Sequence, residues 1–373
     1  MKIGIFTDPH LGKVLSANTT LDSRKRLQND LYYHVKGILQ QEGAGTWLCL
    51  GDLLDKYQNT EATLLQALDV AQSVDMVMAG NHDVVNDVTR VGTLQVLEQV
   101  LSSEGDSGIR RVPFNESGFF VTEMGQCAFY IVPHHSRDDL FEEALCAATK
   151  MAEDRELVDE SEGRTRRHMH LLLHCNYDME FACNDVTLNL SRQRAGKLLE
   201  VFDRILIGHD HNPKEDFDGR LIVLGNTHPT GFGDISDKRI ALVDADTGEI
   251  EFVTVWRKGS GYAELQVGEL LTGDLDVIGN GLNFIDIKGT VEADQAMDLS
   301  RVLKRLWSVA SPPYAIRANV HLAKAGQEVV DDEHPAEDAW ETIRAELQAA
   351  GRDDLLELLD GLKVATAERV VEE

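Results

Sequence analysis

Short apolar runs recur along the N-terminal part of the chain, and each is followed directly by polar residues. Six of them have the length and the flanks of buried strands. They are KIGIF before Thr7, TWLCL before Gly51, DMVMA before Gly80, AFYIV before Pro133, HLLLH at 170–174 and RILIG before His209. The pattern predicts a set of buried strands whose ends carry polar side chains.

Between these runs, apolar residues recur at helical spacing. Residues 24–41, 60–74 and 93–103 all show this period. Residues 137–167 are charged and helix-prone, so we expect a helical insertion between two strands there. Strands that alternate with helices predict a layered α/β fold, a β-sandwich flanked by helices.

After His211 the pattern changes to strands. RLIVLGN predicts one strand, and KRIALVDADTGEIEFVTV predicts a hairpin that turns at DADTGE. A glycine-containing acidic stretch then precedes a β-α-β pattern. We therefore expect a main domain at 1–258, a junction at 259–280, a small C-terminal α+β capping domain at 281–335 and a helical tail at 336–373.

Composition limits the classes of function. The chain has 64 acidic and 36 basic residues and a net charge of −28. This excess disfavours nucleic-acid binding outside a local basic patch, because phosphate contacts need Lys and Arg, and solubility is its simplest explanation. The five cysteines lack CxxC spacing and are expected to be reduced thiols. Without a signal-peptide pattern or the ~20 apolar residues of a membrane span, we expect a cytoplasmic protein.

The strand ends carry metal-binding residue types. Four strands run into Asp8-Pro9-His10, Gly51-Asp52, Gly80-Asn81-His82-Asp83 and Gly208-His209-Asp210-His211, and a fifth ends at His174. Because ligands of open α/β sheets lie at the carboxyl ends of strands, these side chains are expected to surround one crevice. Their chemistry suits Mn²⁺, Zn²⁺ or Fe²⁺. Seven such side chains predict two ions with a shared carboxylate, placed ~3.5–4 Å apart so that an acidified water between them is aimed at phosphorus.

The ordered set DxH, GDxxD, GNHD, a strand-end His and GHxH resembles that of the calcineurin-like metallophosphoesterases. The resemblance implies that one ion binds Asp8, His10, Asp52 and His211, and that the other binds Asp52, Asn81, His174 and His209. Mn²⁺ is the expected ion, with Mg²⁺, Fe²⁺ or Zn²⁺ as alternatives. By itself His174 is equally well explained as a core histidine, but its place between GNHD and GHxH favours a ligand.

The same resemblance assigns the catalytic residues. It implies that His82 faces the scissile phosphate and stabilises the transition state or protonates the leaving oxygen, while Asp83 orients the His82 ring. Asp55 lies outside the shared pattern and is interpreted as a helix-start or surface acid. His134, His135 and His228 are interpreted as rim residues at most.

Three further features are similar to the SbcD-type DNA-repair nucleases. They are DPHLG at 8–12 with the basic helix that follows, residues 202–252, and the β-α-β unit, which stands where those nucleases carry a cap that grips DNA. Candidate DNA contacts are therefore Lys13, Arg24, Lys25 and Arg26. Two other basic clusters, Arg164/Arg166/Arg167 and Arg301/Lys304/Arg305, are further candidates, and each of the basic clusters is equally well explained as a solvated helix face.

This second resemblance also implies partners. The nucleases are dimers that join a coiled-coil ATPase of the SbcC type near their C-terminus. We thus expect DNA, such an ATPase and a second copy of the chain as partners, in the host cytoplasm if the protein is phage-encoded. The apolar stripes between Trp340 and Leu362 are expected either to contact the ATPase or to pack on their own domain.

The expected function is a metal-dependent DNA exonuclease, with endonuclease activity also open, that acts in recombination or double-strand-break repair. A small-molecule or cyclic-nucleotide phosphodiesterase would share every ligand and would better tolerate the acidity. A non-catalytic scaffold is disfavoured, because no ligand position is missing.

Overall fold

A computed structural model describes residues 1–13, 32–84, 90–102, 108–111, 118–179, 188–232, 234, 236–257, 261–273, 283–292, 294–309 and 313–322. Residues Met1–His321 form one compact unit. Arg24, Lys25 and Arg26, and the predicted tail at 336–373, lie outside the described residues. None of the helices in the described ranges combines the length and apolar composition that a bilayer crossing requires.

The elements follow the predicted alternation. The strands are β1 (Lys2–Phe6), β2 (Ala44–Cys49), β3 (Met76–Met78), β4 (Ile109–Arg110), β5 (Phe120–Met124), β6 (Cys127–Val132), β7 (His168–His174), β8 (Asn176–Tyr177), β9 (Asn189–Leu190), β10 (Arg204–Gly208), β11 (Lys214–Asp216), β12 (Leu221–Val223), β13 (Lys238–Asp244), β14 (Ile250–Trp256), β15 (Tyr262–Gln266), β16 (Phe284–Val291) and β17 (Ala315–Leu322). The helices are α1 (32–41), α2 (Glu61–Ser73), α3 (Thr93–Ser102), α4 (Asp138–Ser161), α5 (Arg192–Leu198), α6 (Val267–Thr272) and α7 (Ala296–Leu306). All six apolar runs form strands, and the charged insertion forms α4.

Two six-stranded sheets make the body of the unit. Their orders are β14-β13-β1-β2-β3-β4 and β11-β12-β10-β7-β6-β5. In the first, β1, β2 and β3 are parallel, and β13 pairs antiparallel with β1 and forms the predicted hairpin with β14. In the second, β6, β7 and β10 are parallel. The carboxyl ends of these parallel strands therefore meet at one edge of each sheet.

Alternation along the strands builds three apolar layers. Ile3 and Ile5 of β1 and Phe129 and Ile131 of β6 fill the layer between the sheets. The opposite face of the first sheet packs on α1, α2 and α3, and that of the second sheet packs on α4 and α5. The order of layers is helix, sheet, sheet, helix, which confirms the predicted sandwich flanked by helices.

A small third sheet follows, in the order β15-β16-β17. Together with α6 and α7 it has its own apolar cluster, as expected for a small α+β element. Its first strand and α6 fall inside the segment predicted as a junction, so the element begins earlier than the sequence indicates. Phe284 and Ala315 of this sheet pack against Phe232 of the main body, with Trp256 and Tyr262 beside them.

The core contains an unpartnered histidine. His170 of β7 is fully buried, lies on the same strand face as Leu172, and stacks on Phe129 with ring centroids 5.2 Å apart. Neither of its ring nitrogens has a hydrogen-bond partner among the described residues. Burial lowers the pKa of His170 to about 4, because a charge there would be desolvated.

We expect His170→Leu to reduce the loss of stability in acid. The unfolded chain takes up a proton at the ordinary pKa of 6.5, but the folded chain does so only near 4, so stability falls as the pH drops from 6.5 towards 4. Between about pH 7.5 and about pH 5 the variant should lose about 2 kcal/mol less of its free energy of unfolding than the wild type. Urea unfolding at both pH values measures this, with the exposed His321→Gln as control. Equal losses in wild type and His170→Leu would contradict the expectation.

Candidate metal centre

The loops after five strands bring all seven predicted ligands together. Asp8 and His10 follow β1, Asp52 follows β2, Asn81 follows β3, His174 ends β7, and His209 and His211 follow β10. Ligand atoms of Asp8, His10 and His211 lie within 4.8 Å of one another, as do those of Asp52, His174 and His209. The strand ends thus form two groups of candidate ligands, and a third set that meets the same distance limit, His10, Asp52 and His82, shares one residue with each.

The first group contains an orphaned carboxylate oxygen. His10 Nε2 lies 2.9 Å from His211 Nε2 and 3.8 Å from Asp8 Oδ1. Asp8 Oδ2 accepts hydrogen bonds from Thr7 Oγ1 (2.5 Å) and His209 N (2.9 Å), but the buried Oδ1 has no partner among the described residues. Burial raises the pKa of Asp8 to about 7 and lowers that of His10 to about 2. Neutral imidazoles beside an unsatisfied carboxylate fit a divalent cation.

The second group turns three acceptor atoms towards one another. His174 Nδ1 donates to Leu50 O (2.7 Å), which leaves Nε2 facing Asn81 Oδ1 at 3.0 Å and Asp52 Oδ2 at 3.4 Å. Burial disfavours a charged His174, but the Asp52 carboxylate outweighs burial and raises the pKa of His174 to about 9. His209 Nδ1 also lies 2.8 Å from Asn81 Oδ1. The group requires positive charge at its centre, either a proton on Nε2 or a bound cation.

Asp52 lies between the two groups. Its Oδ2 is 3.8 Å from His10 Nε2 and 3.4 Å from His174 Nε2, and its Oδ1 accepts a hydrogen bond from His82 N at 2.9 Å. The side chain is only 1% exposed. One buried carboxylate therefore contacts both groups, which is the geometry that a shared ligand needs.

Four of the seven candidate ligands adopt the left-handed backbone conformation that favours glycine. Their φ values are +53° for Asp8, +43° for His10, +47° for Asp52 and +98° for His209. Each such residue costs on the order of 1–3 kcal/mol and persists only where neighbours hold it. Here Asp8 N donates to Gly51 O at 3.1 Å, and His10 N donates to Asp52 O at 3.0 Å. The strain is concentrated where the chain turns out of its strands and into the crevice.

The glycine of each motif leaves room for a neighbouring polar group. A Cβ on Gly51 would lie 2.4 Å from His174 Nδ1, and one on Gly80 would lie 2.2 Å from Asp52 Oδ1. A Cβ on Gly208 would lie 2.3 Å from Thr7 Oγ1. The glycines of GD, GNHD and GHxH are thus required by close packing around the candidate ligands.

We expect Gly80→Ala to displace Asp52, to weaken Mn²⁺ binding and to cost about 1–3 kcal/mol of stability through overpacking. Gly37→Ala in α1 is a matched control, since a Cβ there meets nothing within 4 Å. The control should gain about 0.5–1 kcal/mol from helix propensity and should bind Mn²⁺ normally. Calorimetric Mn²⁺ titration and urea unfolding test both variants, and unchanged binding in Gly80→Ala would refute the expected steric coupling.

His82 and Asp83 do not interact as the sequence analysis expects. The Asp83 carboxylate accepts hydrogen bonds from the backbone N–H groups of Leu53 (3.2 Å), Leu54 (2.9 Å) and Gly80 (2.9 Å) instead of contacting the His82 ring. His82 Nδ1 donates to Asp55 O at 2.7 Å, so Nε2 is the ring nitrogen without a hydrogen-bond partner among the described residues. Asp83 therefore fastens two strand-end loops together, while a backbone carbonyl orients His82.

Asp55 lies beside the candidate ligands. Its side chain is 13% exposed, and its Oδ1 lies 3.6 Å from His10 Nδ1 and 3.2 Å from Lys13 Nζ. A hydrogen bond of 3.0 Å from Asp55 N to Leu11 O holds the two loops side by side. The interpretation as a surface acid is wrong, and the GDxxD spacing directly after a buried strand was the available signal.

The remaining histidines and basic residues that the sequence singled out differ in their distance from the centre. His134 and His228 are buried, 3% and 4% exposed, and the His134 ring lies 6.5 Å from that of His174, so neither is on a rim. Lys13 lies beside the centre, next to Asp55.

Arg164, Arg166 and Arg167 each pair with an acidic side chain, which favours the explanation as a solvated, charge-balanced face.

An open cleft of about 520 Å³ adjoins the centre. Its lining consists of Asp52, His82, Asn176, Met179, His209, Asp210, His211 and Asn212. Among the described residues, this lining contains no lysine or arginine.

Comparison with known proteins gives the following. The model of the calcineurin-like phosphoesterase family matches residues 1–213. Similar solved structures include an archaeal phosphodiesterase (14% identity, TM-score 0.33, covering 68% of this chain and 99% of that one) and a dimetal phosphatase from Danio rerio (13%, 0.40, 69% and 99%). A phosphoesterase from E. coli is 14% identical, with a TM-score of 0.30 over 68% of this chain and 100% of that one. No curated protein matches the chain.

Proposed function

The chain belongs to the calcineurin-like phosphoesterase family, and from this premise we propose that it is a two-metal phosphodiesterase that hydrolyses DNA. The observation that carries the proposal is the position of Asp52 between two groups of buried and half-buried ligand-type side chains. Phosphate-ester hydrolysis is metal-dependent in this family, and the donor set of carboxylate, imidazole and amide oxygen suits divalent cations such as Mn²⁺.

In the proposal each ion has four ligands, and Asp52 belongs to both sets. Asp8, His10, Asp52 and His211 would hold one ion, and Asp52, Asn81, His174 and His209 would hold the other. Bound there, the ions would supply Lewis acidity and neutralise charge on phosphate oxygens. Burial keeps the pKa values of His10, His209 and His211 low, so these imidazoles stay neutral and can bind a cation at physiological pH.

His82 acts on the substrate in this scheme. It lines the open cleft, its backbone N–H is fixed by Asp52 Oδ1, and its Nδ1 is committed to Asp55 O. Nε2 is therefore the nitrogen available to the substrate. From there it would donate a hydrogen bond or a proton to the oxygen that leaves phosphorus.

DNA as the substrate has separate support from that of hydrolysis. It is supported by the resemblance of residues 8–12 and 202–252 to the SbcD-type nucleases, and by a small third sheet that packs on the loop beside His211. The described part of the cleft lining contains no Lys or Arg, which favours a second candidate, a phosphodiesterase of small substrates. Such substrates carry fewer charges and need no basic track.

One experiment separates the two candidates. Purified protein with Mn²⁺ is given linear double-stranded DNA, a 3′,5′-cyclic nucleotide or bis(p-nitrophenyl) phosphate, each beside Asp52→Asn. Release of nucleotides from DNA that disappears in Asp52→Asn supports the nuclease. Hydrolysis of the small diesters with DNA left intact supports the second candidate, and absence of all three activities contradicts the proposed function.

A further inference from the structure

A part-buried polar network lies behind His211 and uses residues to which the proposed function gives no role. His211 Nδ1 lies 3.0 Å from Thr230 Oγ1, and the Thr230 hydroxyl lies 3.2 Å from Asp234 Oδ2. Asp234 Oδ2 also accepts from Thr230 N and Asn226 Nδ2, both at 3.0 Å. Thr230 of the loop between β12 and β13 therefore contacts the ring of a candidate ligand.

Lys238 anchors this network. Its side chain is fully buried, and its ammonium donates to Asp234 Oδ1, to Ser236 Oγ at 2.8 Å and to His211 O at 3.0 Å. Burial by itself would raise the pKa of Asp234, but the hydrogen bond from Lys238 and those from the loop bring it below its usual range. Asp234 is thus an ionised carboxylate, and the network holds both the ring and the backbone of His211.

The ionised carboxylate sets the direction of the hydrogen bonds. A hydroxyl can donate or accept, but the Thr230 proton goes to Asp234, which can only accept. The Thr230 oxygen is then left to accept the proton on His211 Nδ1. This fixes the tautomer in which His211 Nε2 carries a lone pair, and Nε2 is the atom that faces His10 Nε2 at 2.9 Å.

The other oriented histidines of the centre use a different device. His174 Nδ1 donates to Leu50 O and His82 Nδ1 donates to Asp55 O, both at 2.7 Å. A backbone carbonyl cannot donate, so it fixes the tautomer without help. His211 instead relies on a side-chain hydroxyl, and this is the reason why a carboxylate and a buried lysine stand behind it.

On the premise of the two-ion site proposed above, we propose that Thr230 is the positioning residue of His211 and that Asp234, held by Lys238, sets the direction of its hydroxyl. Loss of the hydroxyl frees His211 to rotate or to carry its proton on Nε2, the position that an ion needs. Partners of this kind typically contribute about 10–100-fold to metal affinity.

The test compares Thr230→Val, which keeps the shape and removes the hydroxyl, with Thr230→Ser, which keeps the hydroxyl. Mn²⁺ binding to the full chain is followed by calorimetry and by electron paramagnetic resonance, and the urea midpoint of the metal-free protein is measured in parallel. We expect two Mn²⁺ in wild type and Thr230→Ser. In Thr230→Val, one of the two should bind about 10–100-fold more weakly. Differences between the urea midpoints of the metal-free proteins should be too small to explain the weaker Mn²⁺ binding of Thr230→Val.

Three outcomes would overturn the inference. One is wild-type affinity for both ions in Thr230→Val, and another is an equal loss in Thr230→Ser and Thr230→Val. The third is a wild type that binds no Mn²⁺, which would remove the proposed function as well. If two ions bind and Thr230→Val shows the expected loss of affinity, but no diester is hydrolysed, the inference is supported and the proposed function is refuted. Failure of the inference and failure of the proposed function are therefore distinguishable.

Discussion

Asp52→Asn is expected to lose metal binding and phosphodiester hydrolysis together. Asp52 Oδ2 is the atom that lies 3.8 Å from His10 Nε2 and 3.4 Å from His174 Nε2, and a carboxamide of the same shape carries no charge to neutralise cations on either side. Several kcal/mol of electrostatic stabilisation would be lost, which corresponds to a fall of at least about 10³-fold in kcat/KM. Bound Mn²⁺ is counted by elemental analysis, and kcat/KM is measured on bis(p-nitrophenyl) phosphate and DNA.

The control for this variant is Asp246→Asn, which makes the same change of charge on an exposed turn far along the chain. It should retain both ions and full activity. If Asp52→Asn bound two Mn²⁺ with wild-type affinity, the proposed role of Asp52 as a shared ligand would be excluded.

His82→Ala is expected to keep both ions and to lose about 10²–10⁴-fold in kcat, the usual contribution of a positioned acid or base. The reason is that His82 lines the cleft and that its Nε2 has no hydrogen-bond partner among the described residues, while its Nδ1 donates to Asp55 O. Comparing the loss of kcat for two leaving groups makes the test more specific. A p-nitrophenolate departs readily without a proton, so the loss should be smaller for an aryl diester than for DNA.

His321→Ala, in the exposed end of β17, is the control for a histidine deletion unrelated to the cleft. Equal losses on both substrates would indicate that His82 stabilises charge on the phosphoryl oxygens and does not protonate the leaving oxygen. Full activity of His82→Ala on both would show that His82 has neither role.

The strands and the grouping of candidate ligands were predictable because both follow from local pattern. A run such as RILIG has no polar position to expose, so it forms a buried strand, and the residue after it must lie at the sheet edge. Short strands such as β8, β11 and β15 lack such a run. Their pairing depends on tertiary neighbours, and the sequence pattern did not reveal them.

The hydrogen-bond partners of the candidate ligands were not predictable. Asp83 follows His82 directly, but the turn with Asp83 N donating to Gly80 O at 3.3 Å directs its carboxylate back to the loop N–H groups. Thr230 and His211 are separated by 19 residues, and only the fold brings them together. Residue type and order therefore predict which side chains gather at the centre, while tertiary contacts determine how each is oriented.

The predicted partners remain predictions. The SbcC-type ATPase and the second copy of the chain were inferred from resemblance, and the segment expected to contact the ATPase lies outside the described residues. The DNA contacts expected of Arg24, Lys25 and Arg26 have the same status. Salt dependence of DNA binding, compared between the wild type and a variant neutralised at these three positions, would address them directly.

The position of β1 in its sheet has a consequence for the order of events during synthesis. β1 lies between β2 and β13, so one of its edges stays unpaired until residues 238–244 have left the ribosome. His209 likewise joins Asp8 across 201 positions of sequence. At about 5–20 residues per second, the interval between the synthesis of the first and the last ligand is about 10–40 s. If the chain binds the two proposed ions, the nascent chain lacks a complete set of ligands before that time, and β13 joins the sheet only after the last ligand has been made.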